Sequence, residues 1–253
     1  MVVRNVGLAA LALAPPALAG LDGWRSPGWR GARPLALALG LLIPGAVVVT
    51  ALRERDPPPG LGVDWSVVAS DAAAFARPLP GPHLNSWDLG GWLDLTWGGA
   101  PPTFLDGRLI DPQRGRDHDA VVEATAPGPT LDRLGVRTML LQPLYRGDGA
   151  LLQVVPWLLR APGWALVRAS DGLVFVRADA AAGLERLPAS AGWRLVAREA
   201  ERAWERSRAA RHAPFVRTWA LAELGERSAA AAAFREAAAR DPATAPGYSA
   251  LAP

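Results

Sequence analysis

Two stretches of this chain carry no charge: residues 5–21, bounded by Arg4 and Asp22, and residues 34–52, bounded by Arg33 and Arg53. No other feature restricts the possible folds as strongly. A helix rises about 1.5 Å per residue, so 34–52 (PLALALGLLIPGAVVVTAL) spans roughly 28 Å, the thickness of a bilayer's hydrocarbon core. It is expected to be a transmembrane helix, kinked at Pro44. The 5–21 run is shorter and contains Pro15-Pro16. Three readings stay open for it: a second transmembrane helix; a secretory signal with Arg4 before an apolar core and Ala17-Leu18-Ala19 as cleavage site; and a buried helix. Trp24, Arg25, Trp29, Arg30 and Arg33 lie between the runs, as residues of a membrane–water interface do. With that loop on the cytoplasmic side, everything after Arg53 is extracytoplasmic, and the lipid bilayer is a partner.

Composition excludes several chemistries. The 253 residues include no cysteine, which removes disulfides, thiol nucleophiles and Cys-ligated metals. All 27 basic residues are Arg, which removes P-loop and Schiff-base lysines. The net charge is +3 and no Arg block follows a phosphate backbone, so no nucleic-acid partner is expected. There is no G-x-G-x-x-G, P-loop or G-x-S-x-G motif. No cofactor, metal or catalytic residue is assigned.

Past a stiff Pro57-Pro58-Pro59-Gly60 linker (54–63), residues 64–180 read as a small α/β sheet domain in two or three layers. Ser70 is the expected N-cap of a helix over 71–77. Strands are expected at 83–85, 102–105 and 137–144, helices at 90–97, 119–125, 129–134 and 149–159, and a hairpin of 164–168 with 173–177 around Ser170-Asp171-Gly172. Residues 190–244 read as a helical tail. A helix over 192–208 is followed by helices at 213–224 and 227–240, flanking Gly225. Counted from Arg211, Gly225, Ala230, Phe234, Ala237 and Pro242 fall where one tetratricopeptide repeat has its small, aromatic and stop residues. A lone repeat needs neighbours to bury its faces. Trp219 and Phe234 are its candidate partner-binding residues.

The polar candidates are few. Asp106-Gly107-Arg108 follows the expected strand 102–105; there Arg108 can clamp a phosphate or carboxylate, or simply pair with Asp106 in a turn. Asp88, Asp94 and Asp106, within 19 residues, are a candidate carboxylate cluster. Asp117-His118-Asp119 reads as a solvated polar loop.

The ordered run from Asn85 to Arg177 also carries a resemblance. Asn85-Ser86-Trp87-Asp88-Leu89-Gly90-Gly91-Trp92-Leu93 is followed by Phe104-Leu105-Asp106-Gly107-Arg108. Then come Leu131–Val136, leading into Met139-Leu140-Leu141, and finally Gly163–Val167 and Leu173–Arg177. This order resembles the C-terminal extracytoplasmic domain of bacterial polytopic membrane proteins similar to the C-type superfamily of lipid-linked-sugar glycosyltransferases. Arg4-Asn5 before an apolar run resembles the start of a late membrane helix there. The resemblance covers about 35–180 and implies an accessory or binding domain, with Asn85, Asp88, Asp106 and Arg108 as ligand-binding candidates. The catalytic carboxylate of that superfamily lies in the first extracytoplasmic loop of a large helical bundle, which two membrane segments do not supply. The expected partners are therefore a lipid-linked sugar or glycan, and a separate helical bundle or periplasmic protein. The competing expectation is a complete membrane-anchored scaffold that binds a partner protein through its helical tail.

Overall fold

The computed structural model describes residues 68–105 and 111–251. The expected membrane segments 5–21 and 34–52, the linker 54–63, and Asp106 and Arg108 lie outside the described residues. Among the described residues no helix is long and apolar enough to cross a membrane.

The short, nearly continuous apolar runs of the central segment make a mixed four-stranded sheet. Its strands are β1 (His83–Asn85), β2 (Thr138–Leu141), β3 (Trp164–Ala169) and β4 (Leu173–Arg177), in the order β1-β2-β4-β3. β1 and β2 are parallel, with His83 opposite Thr138 and Asn85 opposite Leu140. The β2–β4 and β3–β4 pairs are antiparallel. Helix α1 (Ser70–Ala76) precedes β1. A parallel pair needs a long crossover, and the one from β1 to β2 carries three helices: α2 (Gly90–Trp97), α3 (Pro112–Val122) and α4 (Pro127–Arg133).

Both sheet faces are apolar, so both must be covered. Leu84, Met139, Leu141, Leu166 and Phe175 point into one core with α3 and α5 (Val154–Arg160). Leu140, Ala165, Val167, Val174 and Val176 point into the other, where small Ala69, Ala72, Ala73 and Ala76 let α1 approach closely and Leu93 and Trp97 of α2 complete the layer. The result is a three-layer α/β arrangement.

α6 (Ala189–Arg206) places Trp193, Leu195, Val196 and Ala200 in the first core and exposes Arg194, Arg198, Glu201, Arg202 and Glu205. α7 (Ala213–Glu223) adds Ala213, Val216 and Ala220 to the same core. α8 (Arg227–Arg240) folds back on α7 through Gly225, at φ +79°. Residues 245–251 return as a 3-10 turn that stacks Tyr248 on Phe215, ring centroids 4.9 Å apart. The stretch expected as a tail therefore shares its core with the sheet.

Several expected elements are corrected. Residues 102–105 form no strand. Pro101 and Pro102 have no N–H to give a ladder, and the side chain of Asn85 takes the backbone groups that follow, as described below. Asp117-His118-Asp119 is not a solvated loop but part of α3. That helix starts at Pro112 because the Asp111 carboxylate accepts the N–H groups of Gln113 (2.9 Å) and Arg114 (3.4 Å). The helix expected at 149–159 begins only at Val154, since Leu144 and Leu151 bridge across a tight loop. Ser70 does not cap α1 with its own side chain.

Candidate functional site

The carboxyl ends of adjacent parallel strands are where an open α/β sheet forms a crevice for ligands. Here β1 and β2 part after one further bond from Ser86 N–H to the Leu140 carbonyl, 3.0 Å. The Ser86 hydroxyl oxygen accepts the Gln142 N–H at 2.9 Å, fixing the two exits relative to one another. The first chain turns into a 3-10 turn (Trp87–Leu89) and the second into Gln142–Arg146.

Asn85 lies beneath this crevice. It is 1% exposed. Its amide donates to the carbonyls of Leu105 and Ser86, both at 2.9 Å, and accepts the Phe104 N–H at 2.9 Å. The side chain thus pairs with 104–105 as a neighbouring strand would. Its hydrogen-bonding capacity holds the frame of the site.

Asp88 stands at the rim. Its carboxylate lies 3.8 Å from Arg146 Nε, and Arg146 donates from Nε and Nη2 to Gln142 Oε1 at 3.2 and 3.1 Å. In the same segment, Tyr145 donates its hydroxyl to Glu123 Oε1. Burial raises the Tyr145 phenol above its ordinary range, and the Glu123 hydrogen bond adds to this, so the phenol stays a donor.

α3 supplies the wall. His118 is 4% exposed, and its Nδ1 lies 3.5 Å from Asp119 Oδ1. Its ring meets Trp87 edge-on, centroids 6.3 Å apart. Burial pulls the His118 pKa below the ordinary value, against the opposing pull of Asp119, so the imidazole is neutral. His118 Nε2 and Trp87 Nε1 are buried without a hydrogen-bond partner. Asp117 points elsewhere: it accepts from Arg133 Nη2 and Gln113 Nε2, each at 2.8 Å, tying α3 to α4. The Arg133 hydrogen bond holds its carboxyl below the usual range.

Of the expected ligand-binding residues, Asn85 and Asp88 come to one place. Asp94 accepts the Thr103 hydroxyl at 2.7 Å, so it and Asp88 serve different partners. Among the described residues no group of three His, Asp or Glu could hold a metal ion. Glu123, Gln142, Tyr145 and Arg146 were not singled out by sequence; only their position just after a buried strand, or on a helix beside one, could have marked them. In the helical region, Trp219 packs against Trp193, centroids 6.0 Å apart, and Phe234 meets Phe215 edge-on at 6.1 Å. Both expected partner-binding aromatics are half-buried against their own chain.

A carboxylate, a guanidinium and an amide linked at these strand ends, with the Trp87 indole next in the chain, are the groups that suit a polyhydroxylated ligand: each hydroxyl both donates and accepts. No family model, curated protein or solved structure matches the chain.

Proposed function

We propose that this chain is the C-terminal portion of a membrane-bound glycosyltransferase-like protein. Its α/β region is an extracytoplasmic accessory domain that binds a glycan or lipid-linked sugar without transferring it. The observation that carries this reading is the set Asp88, Gln142 and Arg146 at the carboxyl ends of β1 and β2. The ordered motifs from Asn85 to Arg177 and the uncharged run 34–52 support the membrane and sugar parts. A ligand hydroxyl would enter the hydrogen-bonded set of Asp88, Gln142 and Arg146, while Trp87 offers an aromatic surface for the apolar face of a pyranose. The helical bundle that would carry the catalytic carboxylate belongs, in this reading, to the rest of that protein or to a separate partner.

The test is binding of the full chain, in detergent micelles, to a panel of glycans and polyprenyl-linked sugars. Saturable binding to at least one member is expected. It should weaken about tenfold in Asp88→Asn and Arg146→Gln, as the loss of one charge-assisted hydrogen bond implies. Absence of binding to every member would overturn the sugar reading.

A further inference from the structure

At the sheet end opposite the candidate site, where β2 begins and β4 ends, a cleft of about 470 Å³ is lined by Gly135, Arg137, Gly163, Arg177 and Asp179, among others. A cleft of that size lies within the range of small-ligand sites. Arg137 and Arg177 line it from adjacent strand ends, joined through the Arg177 N–H bond to the Arg137 carbonyl, 2.9 Å.

The two arginines differ in a way that suits anion capture. Arg177 is held in place. Its guanidinium lies over the Trp164 ring, 5.0 Å from the centroid; Nε donates to the Val136 carbonyl at 3.2 Å, and Nη2 to Asp132. Such a cation loses little freedom on binding a ligand. Arg137 is looser. Its ion-pair contact is Asp179 at 3.9 Å, beyond hydrogen-bond distance, and the two side chains are 47% and 78% exposed. An exposed pair of that kind is weak, so Asp179 competes poorly with a better-fitted anion. Gly135 and Gly163 put no side chain into the cleft, and a Cβ at either would meet nothing within 4 Å.

We propose that this cleft is a second binding site, independent of the sugar reading, for a small phosphate-bearing ligand clamped between Arg137 and Arg177. Arginine matches a phosphate's oxygens in pairs, and Asp179 sets the affinity by repulsion.

The test is a calorimetric titration of the full chain in detergent with inorganic pyrophosphate at low ionic strength, repeated with added salt. Arg137→Gln and Asp179→Asn are the variants; both side chains are exposed, and unchanged melting temperatures check that the variants fold. Expected are saturable binding that weakens with salt, a loss of about tenfold in Arg137→Gln, and a gain of about threefold in Asp179→Asn as a like charge is removed. Wild-type chain that shows no saturable binding at millimolar pyrophosphate overturns the proposal. So does binding that Arg137→Gln leaves unchanged, which would place the anion elsewhere.

Discussion

The Asp171 carboxylate accepts the backbone N–H of Ala72 at 2.9 Å, and so caps helix α1 from the β3–β4 turn, 99 positions downstream. It also accepts the Asp71 N–H at 2.8 Å and the Ser70 hydroxyl at 3.3 Å. Arg168 of β3 returns the contact by donating to Asp71 at 2.7 to 2.9 Å. A helix of seven residues is too short to hold alone, so its capping charge comes from the sheet it covers. Asp171→Ala should therefore lower stability by about 1–2 kcal/mol, and Ser70→Ala by distinctly less. Thermal melts of the two variants decide it; equal losses would return the cap to Ser70.

Asn85 gives a second expectation. Asn85→Ala removes three hydrogen bonds from a buried position and should cost about 2–4 kcal/mol. Asn85→Asp keeps the shape but cannot donate to the Leu105 and Ser86 carbonyls, and should be at least as damaging. A denaturant midpoint for Asn85→Asp equal to wild type would contradict the role assigned to the amide.

Acid should weaken the fold through its buried imidazoles. Burial lowers the pKa of both His83 and His118 from the ordinary value, 6.5. The unfolded chain then binds the proton first. The histidine contribution is complete above about pH 6.5 and is lost as pH falls toward the folded-state values. His118→Gln should flatten the fall in stability between about pH 7 and about pH 5. The same slope in the variant would show that His118 is not the group being titrated.

Gly149 sits where the Gln142–Arg146 exit meets α7. Its φ is +74°, and an added Cβ would lie 2.8 Å from Ala213 Cβ. Gly149→Ala should cost about 2–4 kcal/mol, from overpacking and left-handed backbone together. A change below half a kcal/mol in chemical denaturation would mean that the α7 contact yields freely.

These cases show which parts of the fold were legible in sequence. The hairpin around Ser170-Asp171-Gly172, β1 and the paired helices α7 and α8 came from local periodicity and turn residues, which act over a few positions. The expected strand at 102–105 failed because its would-be ladder partner is a side chain, Asn85, a substitution that no pattern of apolar residues displays. The cap of α1 failed for the related reason that Asp171 is distant in sequence and Ser70 is near. Asp117-His118-Asp119 looked solvated because its charges are adjacent; on α3 they point in different directions, Asp117 to Arg133 and His118 into the core. Within the site, Asp88 was legible as part of a motif, whereas Gln142, Tyr145 and Arg146 depend on where β2 ends.

Sugar binding at the carboxyl ends of β1 and β2, as proposed above, is tested most directly by photo-crosslinking. A diazirine-bearing glycan or polyprenyl-linked sugar is bound to the full chain, irradiated, and the labelled peptides are mapped by mass spectrometry. Label is expected within 86–89 and 142–146, suppressed by unlabelled ligand and reduced in Arg146→Gln. Label confined to 213–251, or unaffected by competing ligand, would contradict it.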